Sequence, residues 1–193
     1  MNDLLTVQNI VSVLALVITI AMVISIVITS LRNGITPMPG SLAAQKLMVE
    51  EAAKIIEDGT IVEAGSGWGF LALKLSRALP QCKIIGLENS LVPFLFSKFL
   101  HFIFKEPNLI FLKKDIYSYD FTFVDMIVCY LYPEAMIKLN TIFNDQSNSI
   151  EYVISNTFAL PLIKALKVLN AKDFYRSPVY VYYREKSKMK FYK

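Results

Sequence analysis

The side chains best placed to do chemistry are acidic and stand beside glycines. Ile61-Val62-Glu63-Ala64-Gly65-Ser66-Gly67-Trp68-Gly69-Phe70 reads as a buried strand that ends in a glycine-rich turn and opens a helix. Glycines there permit positive φ and leave no Cβ in the way, so a ligand can lie against the backbone and the helix N-terminus. Glu88 ends a second apolar run about 20 residues on, where a carboxylate can accept hydrogen bonds from both hydroxyls of a ribose. Those two features suit NAD and S-adenosylmethionine alike. The Gly-x-Gly-x-Gly spacing departs from the dinucleotide Gly-x-Gly-x-x-Gly, and Glu63 adds a carboxylate beside the ligand. Near pyrophosphate a buried anion is repulsive, whereas near the sulfonium or ammonium of S-adenosylmethionine it is favourable. The sign of charge therefore points to S-adenosylmethionine.

Asp115, in Lys113-Lys114-Asp115-Ile116, follows a third apolar run at a height where an acid can accept a bond from the exocyclic amine of adenine; a plain turn residue is the other account. Tyr130-Leu131-Tyr132-Pro133-Glu134 follows a fourth run, and its side chains are expected to face the transferred methyl. A ring face or phenol oxygen can hold a substrate amine in line with the sulfonium, while an activated methyl needs little acid–base help. Core packing competes for one of the two tyrosines. Asp125 begins the fourth run, far from the ligand end, and is expected to be structural. His101 is the only histidine, and Cys82 and Cys129 lie in separate apolar runs, so the chain is expected to build no zinc or iron site and to keep two buried, reduced thiols.

Positioning these groups takes alternating strands and helices. Strands are expected at 60–64, 83–87, 109–112, 125–130, 152–155 and 179–184, with helices at 70–79, 91–104, 134–143 and 161–169. This is the rhythm of an α/β, doubly wound, mostly parallel Rossmann-like sheet, whose last strand follows a short crossover and is expected to run antiparallel at or near one edge. Ahead of the sheet, Ser41 can cap a helix that runs to Asp58-Gly59 and whose apolar side (Leu42, Val49, Ala52, Ala53, Ile56) is expected to cover the glycine turn. Helix 91–104 holds Phe94, Phe96, Phe99, Phe102 and Phe104. Ser97, Lys98, His101 and Lys105 share one arc with Phe94, and the apolar remainder covers more than half the circumference. A large aromatic core is the expected reason, contact with a bilayer interface the alternative, and His101 is expected at the surface.

Of 193 residues, 54% are hydrophobic, and the mean hydropathy of +0.46 is too apolar for an ordinary soluble chain. The excess sits in Ile10–Leu31, an uncharged, proline-free run of about 22 residues that spans about 33 Å as a helix, enough for a bilayer core. Its N-terminal flank, Met1–Asn9, has no Lys or Arg, the run is too long for a signal peptide and no small-x-small cleavage site stands out, which favours a transmembrane anchor over a signal peptide. Arg32, Lys46 and Lys54 follow the run and Asp3 is the only charge before it, so the N-terminus is expected outside and the main domain in the cytoplasm. The net charge of +4 suits an anionic membrane surface and demands no nucleic-acid partner. The tail 184–193, with five positive residues against one negative, is expected to be a solvated end, with contact to anionic lipid as the alternative.

Taken in order, Glu63-Ala64-Gly65-Ser66-Gly67-Trp68-Gly69, Gly86-Leu87-Glu88-Asn89 and Lys114-Asp115 resemble the successive motifs of class I, seven-strand S-adenosylmethionine-dependent methyltransferases, over most of Thr60–Arg184. The membrane helix, Thr36-Pro37-Met38-Pro39, Leu131-Tyr132-Pro133 and Val153-Ile154-Ser155-Asn156-Thr157-Phe158-Ala159-Leu160-Pro161 make the chain similar, more narrowly, to the small membrane-anchored protein-lysine methyltransferases. Members of that group modify the adenine nucleotide translocase and the ATP synthase c subunit, and bacteria carry relatives. The resemblance implies an anchor at 1–31, a linker and amphipathic helix at 32–59, and a methyltransferase domain at 60–193.

Residues and resemblance together give one expectation for the site. Glu63, Gly65, Ser66, Gly67 and Gly69 would hold the methionine end of S-adenosylmethionine, Glu88 and Asn89 the ribose, and Asp115 and Ile116 the adenine. Tyr130, Tyr132 and Pro133 would stand at the methyl, with Pro37, Pro39, Ser41 and Glu134 on the acceptor side. The expected acceptor is a lysine amine of a membrane or membrane-associated protein. A lipid or quinone-like small molecule is the runner-up, and a non-catalytic membrane-tethered module is the reading from another class.

Overall fold

Ile61-Val62, Ile84-Ile85 and Met126-Ile127-Val128 are apolar on both alternating faces and too short for buried helices, so they are stable as strands covered on two sides. The computed structural model describes residues 2–33 and 40–185 and places these runs in the middle of a seven-stranded sheet. In chain order the elements are α1 (Asn2–Asn33), α2 (Leu42–Ile55), β1 (Gly59–Ala64), α3 (Phe70–Ala78), β2 (Cys82–Glu88), α4 (Leu91–Phe104), β3 (Leu109–Lys113), a 3-10 turn (Ile116–Ser118), β4 (Met126–Cys129), α5 (Pro133–Asn144), β5 (Tyr152–Asn156), β6 (Lys167–Asn170) and β7 (Pro178–Tyr183). The strand order is β3-β2-β1-β4-β5-β7-β6; β1 to β5 are parallel, and β7 runs antiparallel between β5 and β6. The chain winds outward from β1 to β3, then returns to lay β4 on the other side of β1. That reversal opens a crevice at the carboxyl ends of the strands.

Alternation along the strands splits the core in two. Ile61, Ile84 and Met126 face a layer with Met48 and Ala52 of α2 and Leu71 and Leu75 of α3, while Val62, Ile85 and Ile127 face Met136 and Leu139 of α5. Cys82 and Cys129 are buried free thiols, one in each layer. Asp125 pins the far end of the sheet: its Oδ2 accepts from the Thr60 N–H at 2.9 Å, and its carbonyl accepts from Glu151 and Tyr152. It is structural, as its place at the start of β4 implied.

Four local readings change. Residues 161–169 form no helix. Leu162 has φ +63 and is fully exposed, so no apolar face supports a helix there, and Lys167–Asn170 instead pairs with the open edge of β7. Helix α2 ends at Ile55, before Gly59, and it buries Ala44, Met48 and Ala52, leaving Leu42 exposed. Arg184 is not part of a solvated tail; its guanidinium donates to the carbonyls of Phe143, Asp145, Asn148 and Ile150, closing the end of α5 and the loop after it. Residues 186–193 of that tail lie outside the described residues.

The fourth concerns α4. Its bounds are those expected, but it is turned the other way: Pro93, Ser97 and Leu100 are buried, whereas Leu95, Phe99, Phe102 and Ile103 are exposed. Packing on the sheet edge favours the small Ser97, because Phe111 of β3 fills the space there. Gly69 lies so close that an added Cβ would come 2.7 Å from Phe111 and 2.8 Å from Ser97. His101 is half-buried and meets Phe111 edge-on at 6.4 Å. The phenylalanines thus build no large aromatic core.

Candidate active site

A parallel strand that turns directly into a helix leaves amide N–H groups at the helix start without partners. In the turn after β1, Gly65, Gly67 and Gly69 all adopt positive φ, +72, +51 and +83, which explains three glycines in five residues. They differ in surroundings. A Cβ on Gly65 would press on Leu131, and one on Gly69 on Phe111 and Ser97, but one on Gly67 would meet no protein atom within 4 Å. The backbone at Gly67 therefore faces open space.

Two carboxylates hold this turn. Glu88, at the end of β2, accepts from the Gly67 N–H at 2.8 Å through Oε2 and from the Ser90 N–H at 2.7 Å through Oε1. Glu63 accepts from the Ala72 N–H at 2.9 Å, and so caps α3, whose own N-cap residue, Gly69, has no side chain to do so. Burial pushes the Glu63 carboxyl well above the usual carboxylate range; the Ala72 amide pulls the other way, and the charge of Glu88 adds to the rise. Ser66 beside them is buried with its Oγ unpartnered.

One cleft collects the ends of β1, β2, β4 and β5 and the residues after β3. Of the residues singled out on the cofactor side, Glu63, Gly65, Ser66, Gly67, Glu88, Asn89, Asp115 and Ile116 all border it, and so do Tyr130 and Tyr132. Gly69 does not; its part is to let α3 and α4 approach. Asp115 is exposed and its Oδ1 accepts from the Tyr117 N–H, so it serves the turn Ile116–Ser118 as well as bordering the cleft. Tyr130 lies parallel to Phe158, with ring centroids 6.4 Å apart. Pro133 is the first residue of α5, where its missing N–H costs nothing, and Glu134 stands in the first turn of that helix; neither borders the cleft. Ser41 caps α2 and donates to Asp173 in the β6–β7 loop, away from the cleft. Pro37 and Pro39 lie outside the described residues.

The cleft also has residues that sequence reasoning passed over. Asn156 ends β5 and comes close to Gly40, the first described residue after α1, where an added Cβ would lie 2.8 Å from the Asn156 amide and 3.6 Å from the Tyr130 ring. Applying the carboxyl-end rule to β5 as to β1 and β2 would have found it. Gln45 of α2 is buried at the cleft, donating to the Gly40 carbonyl and accepting from Lys74, and no local pattern signals it. Tyr117 also borders the cleft, its phenol pushed up to about 12 by burial and by its neighbours Tyr132 and Asp115.

The arrangement suits a cation with a ribose attached. A carboxyl whose burial disfavours its charge is stabilised as an anion when a positive group arrives; the open backbone of Gly67 and the unpartnered Ser66 hydroxyl offer polar contacts beside it. Residues 63–167 match the model of the ANTKMT methyltransferase domain, over half of the chain. The chain belongs to that family. It is a class I S-adenosylmethionine-dependent methyltransferase with the seven-strand sheet of that class. Among solved structures it is similar to an RNA methyltransferase from Salinibacter ruber in complex with S-adenosyl-L-homocysteine (TM-score 0.67, 19% identity, 78% of this chain and 95% of that one). It is similar also to an S-adenosylmethionine-dependent methyltransferase from Aquifex aeolicus (0.55, 14%, 72% and 88%) and to precorrin-6y C5,15-methyltransferase from Geobacter metallireducens (0.51, 13%, 71% and 84%). At these identities the likeness is one of fold. No curated protein sequence matches the chain.

Proposed function

We propose that this family member is a membrane-anchored methyltransferase that transfers the methyl of S-adenosylmethionine to a lysine amine of a membrane or membrane-associated protein. The observation that carries the reading is one cleft in which Glu63, Glu88 and Asp115 surround the glycine turn while Gly40, where the chain re-enters after α1, closes on Tyr130 and Asn156 at the same cleft. Membership of the ANTKMT family and the resemblance to protein-lysine methyltransferases support lysine as the acceptor. Gln8–Ile28 supports the anchor: 21 residues with a mean hydropathy of 3.0 and no burial within the protein, long and apolar enough to cross a membrane. Ser12 and Thr19 return their hydroxyls to the carbonyls four residues back, so neither leaves a polar group facing hydrocarbon unpaired. The positive residues after α1 favour a cytoplasmic domain.

Bound S-adenosylmethionine supplies an electrophilic methyl on a cationic sulfur. In this reading the chain's residues position rather than activate. Glu63 gives up its proton and holds positive charge at the methionine end, Glu88 and Asn89 take the ribose, and Asp115 with Ile116 borders the adenine. Tyr130 and Tyr132 flank the path of the neutral acceptor amine and keep water from it. The amine sheds its proton to solvent before it attacks, and no side chain need serve as a strong base.

Labelled methyl transfer into a membrane fraction tests this. Label that runs with protein and is recovered as methyl-lysine is the expected result; label that extracts with lipid would replace the acceptor by a lipid or quinone-like molecule. No S-adenosylmethionine binding by the folded chain at millimolar ligand would refute catalysis altogether.

A further inference from the structure

A helix at the edge of a sheet normally turns its apolar arc inward. Helix α4 does the reverse. Placed at 100° per residue, Leu91, Phe102, Leu95 and Phe99 fall within one quarter of the circumference, with Ile103 and Phe96 just beyond, and the first four are 45%, 72%, 55% and 56% exposed. Lys98 and Lys105 flank one side of that arc, both exposed, while Ser97 is fully buried on the sheet side. The apolar residues are contiguous, so this is a patch rather than scattered exposure, of the kind that marks an interaction surface.

What covers it follows from its neighbour and its charge. Among the described residues helix α4 packs against α1, and α1 carries the membrane-length apolar span. The cleft's Ser90 immediately precedes Leu91, so the patch begins one residue from the lining of the site. An apolar arc with lysines on its flank is the arrangement of a helix lying in the bilayer interface. There, aromatic and aliphatic side chains enter the acyl boundary and lysines extend to anionic headgroups. We infer that the outward face of α4, Leu91, Leu95, Phe99, Phe102 and Ile103 flanked by Lys98 and Lys105, docks flat on the lipid bilayer and holds the mouth of the cleft against the membrane surface. The inference rests on the reading of α1 as an anchor, and adds to it a second contact that fixes orientation rather than attachment.

The test uses the full chain reconstituted in vesicles of phosphatidylcholine with phosphatidylglycerol. Phe99→Cys and Phe102→Cys carry an environment-sensitive fluorophore; Cys82 and Cys129 are buried, so labelling is selective. Ile137→Cys, exposed on α5 across the sheet, is the control. Doxyl-lipid is expected to quench both α4 labels about twofold or more and to leave the control unchanged. Resistance of the unlabelled chain to alkaline carbonate extraction reads the anchor separately. Extraction resistance with α4 labels quenched no more than the control overturns the inference and leaves the anchor standing. Release by carbonate together with α4 quenching at neutral pH overturns the anchor and keeps α4 docked. Cross-linking of two copies through Phe102→Cys, with no lipid quenching, makes the patch a protein interface and overturns it too.

Discussion

Replacing Glu63 by glutamine separates its charge from its shape. The amide oxygen of Glu63→Gln can still accept from the Ala72 N–H, so the start of α3 is kept while the ionisable group is lost. In the ligand-free protein, burial holds the Glu63 carboxyl well above its ordinary 4.5. A cation arriving at about 5 Å in a partly dry cleft attracts a carboxylate by about 3 kcal/mol at an effective dielectric of about 20, or on the order of 100-fold in affinity. Below the free-state pKa part of that gain is used to remove the proton, about 1.4 kcal/mol for each unit of pH. The affinity of the wild-type chain for S-adenosylmethionine should therefore rise about tenfold per pH unit and level off once pH passes the free-state pKa of Glu63. Calorimetry in two buffers of different ionisation enthalpy reads both quantities: release of up to one proton per cofactor on the sloping limb, and none in Glu63→Gln, which binds about 100-fold more weakly on the plateau. Folding stability carries the opposite sign. A carboxyl whose folded pKa is raised contributes fully below its unfolded value and loses that contribution as pH rises through the folded value, so the ligand-free chain should weaken as pH rises from 4.5 upward and Glu63→Gln should flatten the trend. Equal affinity and equal proton release in wild type and Glu63→Gln would refute the cationic-site argument.

Three further outcomes follow from the geometry. Asp125→Ala leaves the part-buried Thr60 N–H without its side-chain acceptor and should cost about 1 kcal/mol in urea unfolding, with the dissociation constant for cofactor unchanged. Gly69→Ala combines φ +83 with contacts of 2.7 and 2.8 Å to Phe111 and Ser97, and should destabilise by about 2–4 kcal/mol, with a lower midpoint at unchanged slope. If the acceptor is an unassisted lysine amine, the rate under conditions where chemistry limits should climb about tenfold per pH unit below the amine's pKa; a rate flat between about pH 6 and 9 would count against it.

The parts of this protein that were legible in its sequence are those in which one short segment carries both the local signal and its tertiary consequence. Glu63 to Phe70 encodes strand, turn and helix start together, and Glu88 falls at the next strand end, so the centre of the cleft could be placed without a structure. Helix α4 shows the limit. Its periodicity gave the right bounds and the right arcs, yet which arc turns inward depends on the space beside Phe111 and Gly69, two residues on other elements. The stretch 161–169 failed for a related reason: the unpaired edge of β7 decides its conformation, and nothing within nine residues of chain reports that edge. Gln45 reaches the cleft only because α2 converges on it, and a single buried amide carries no periodic signature, whereas Asn156 at the carboxyl end of β5 stood where the strand-end rule points.

Gly40 bears on how such an enzyme would search for its substrate. Between Asn33, the last residue of α1, and Gly40 there are seven peptide steps, a leash of at most about 25 Å. With α1 in the bilayer, the cleft cannot leave a thin shell beside the lipid headgroups. Encounters with a membrane-resident acceptor then become a two-dimensional search, in which the surface density of acceptor sets the local concentration and the leash only keeps the cleft within reach of it. Turnover on such an acceptor would respond to how many molecules share a patch of bilayer and hardly at all to dilution of the vesicles. Soluble lysine peptides, denied that confinement, would be judged poor substrates by an enzyme whose chemistry is intact.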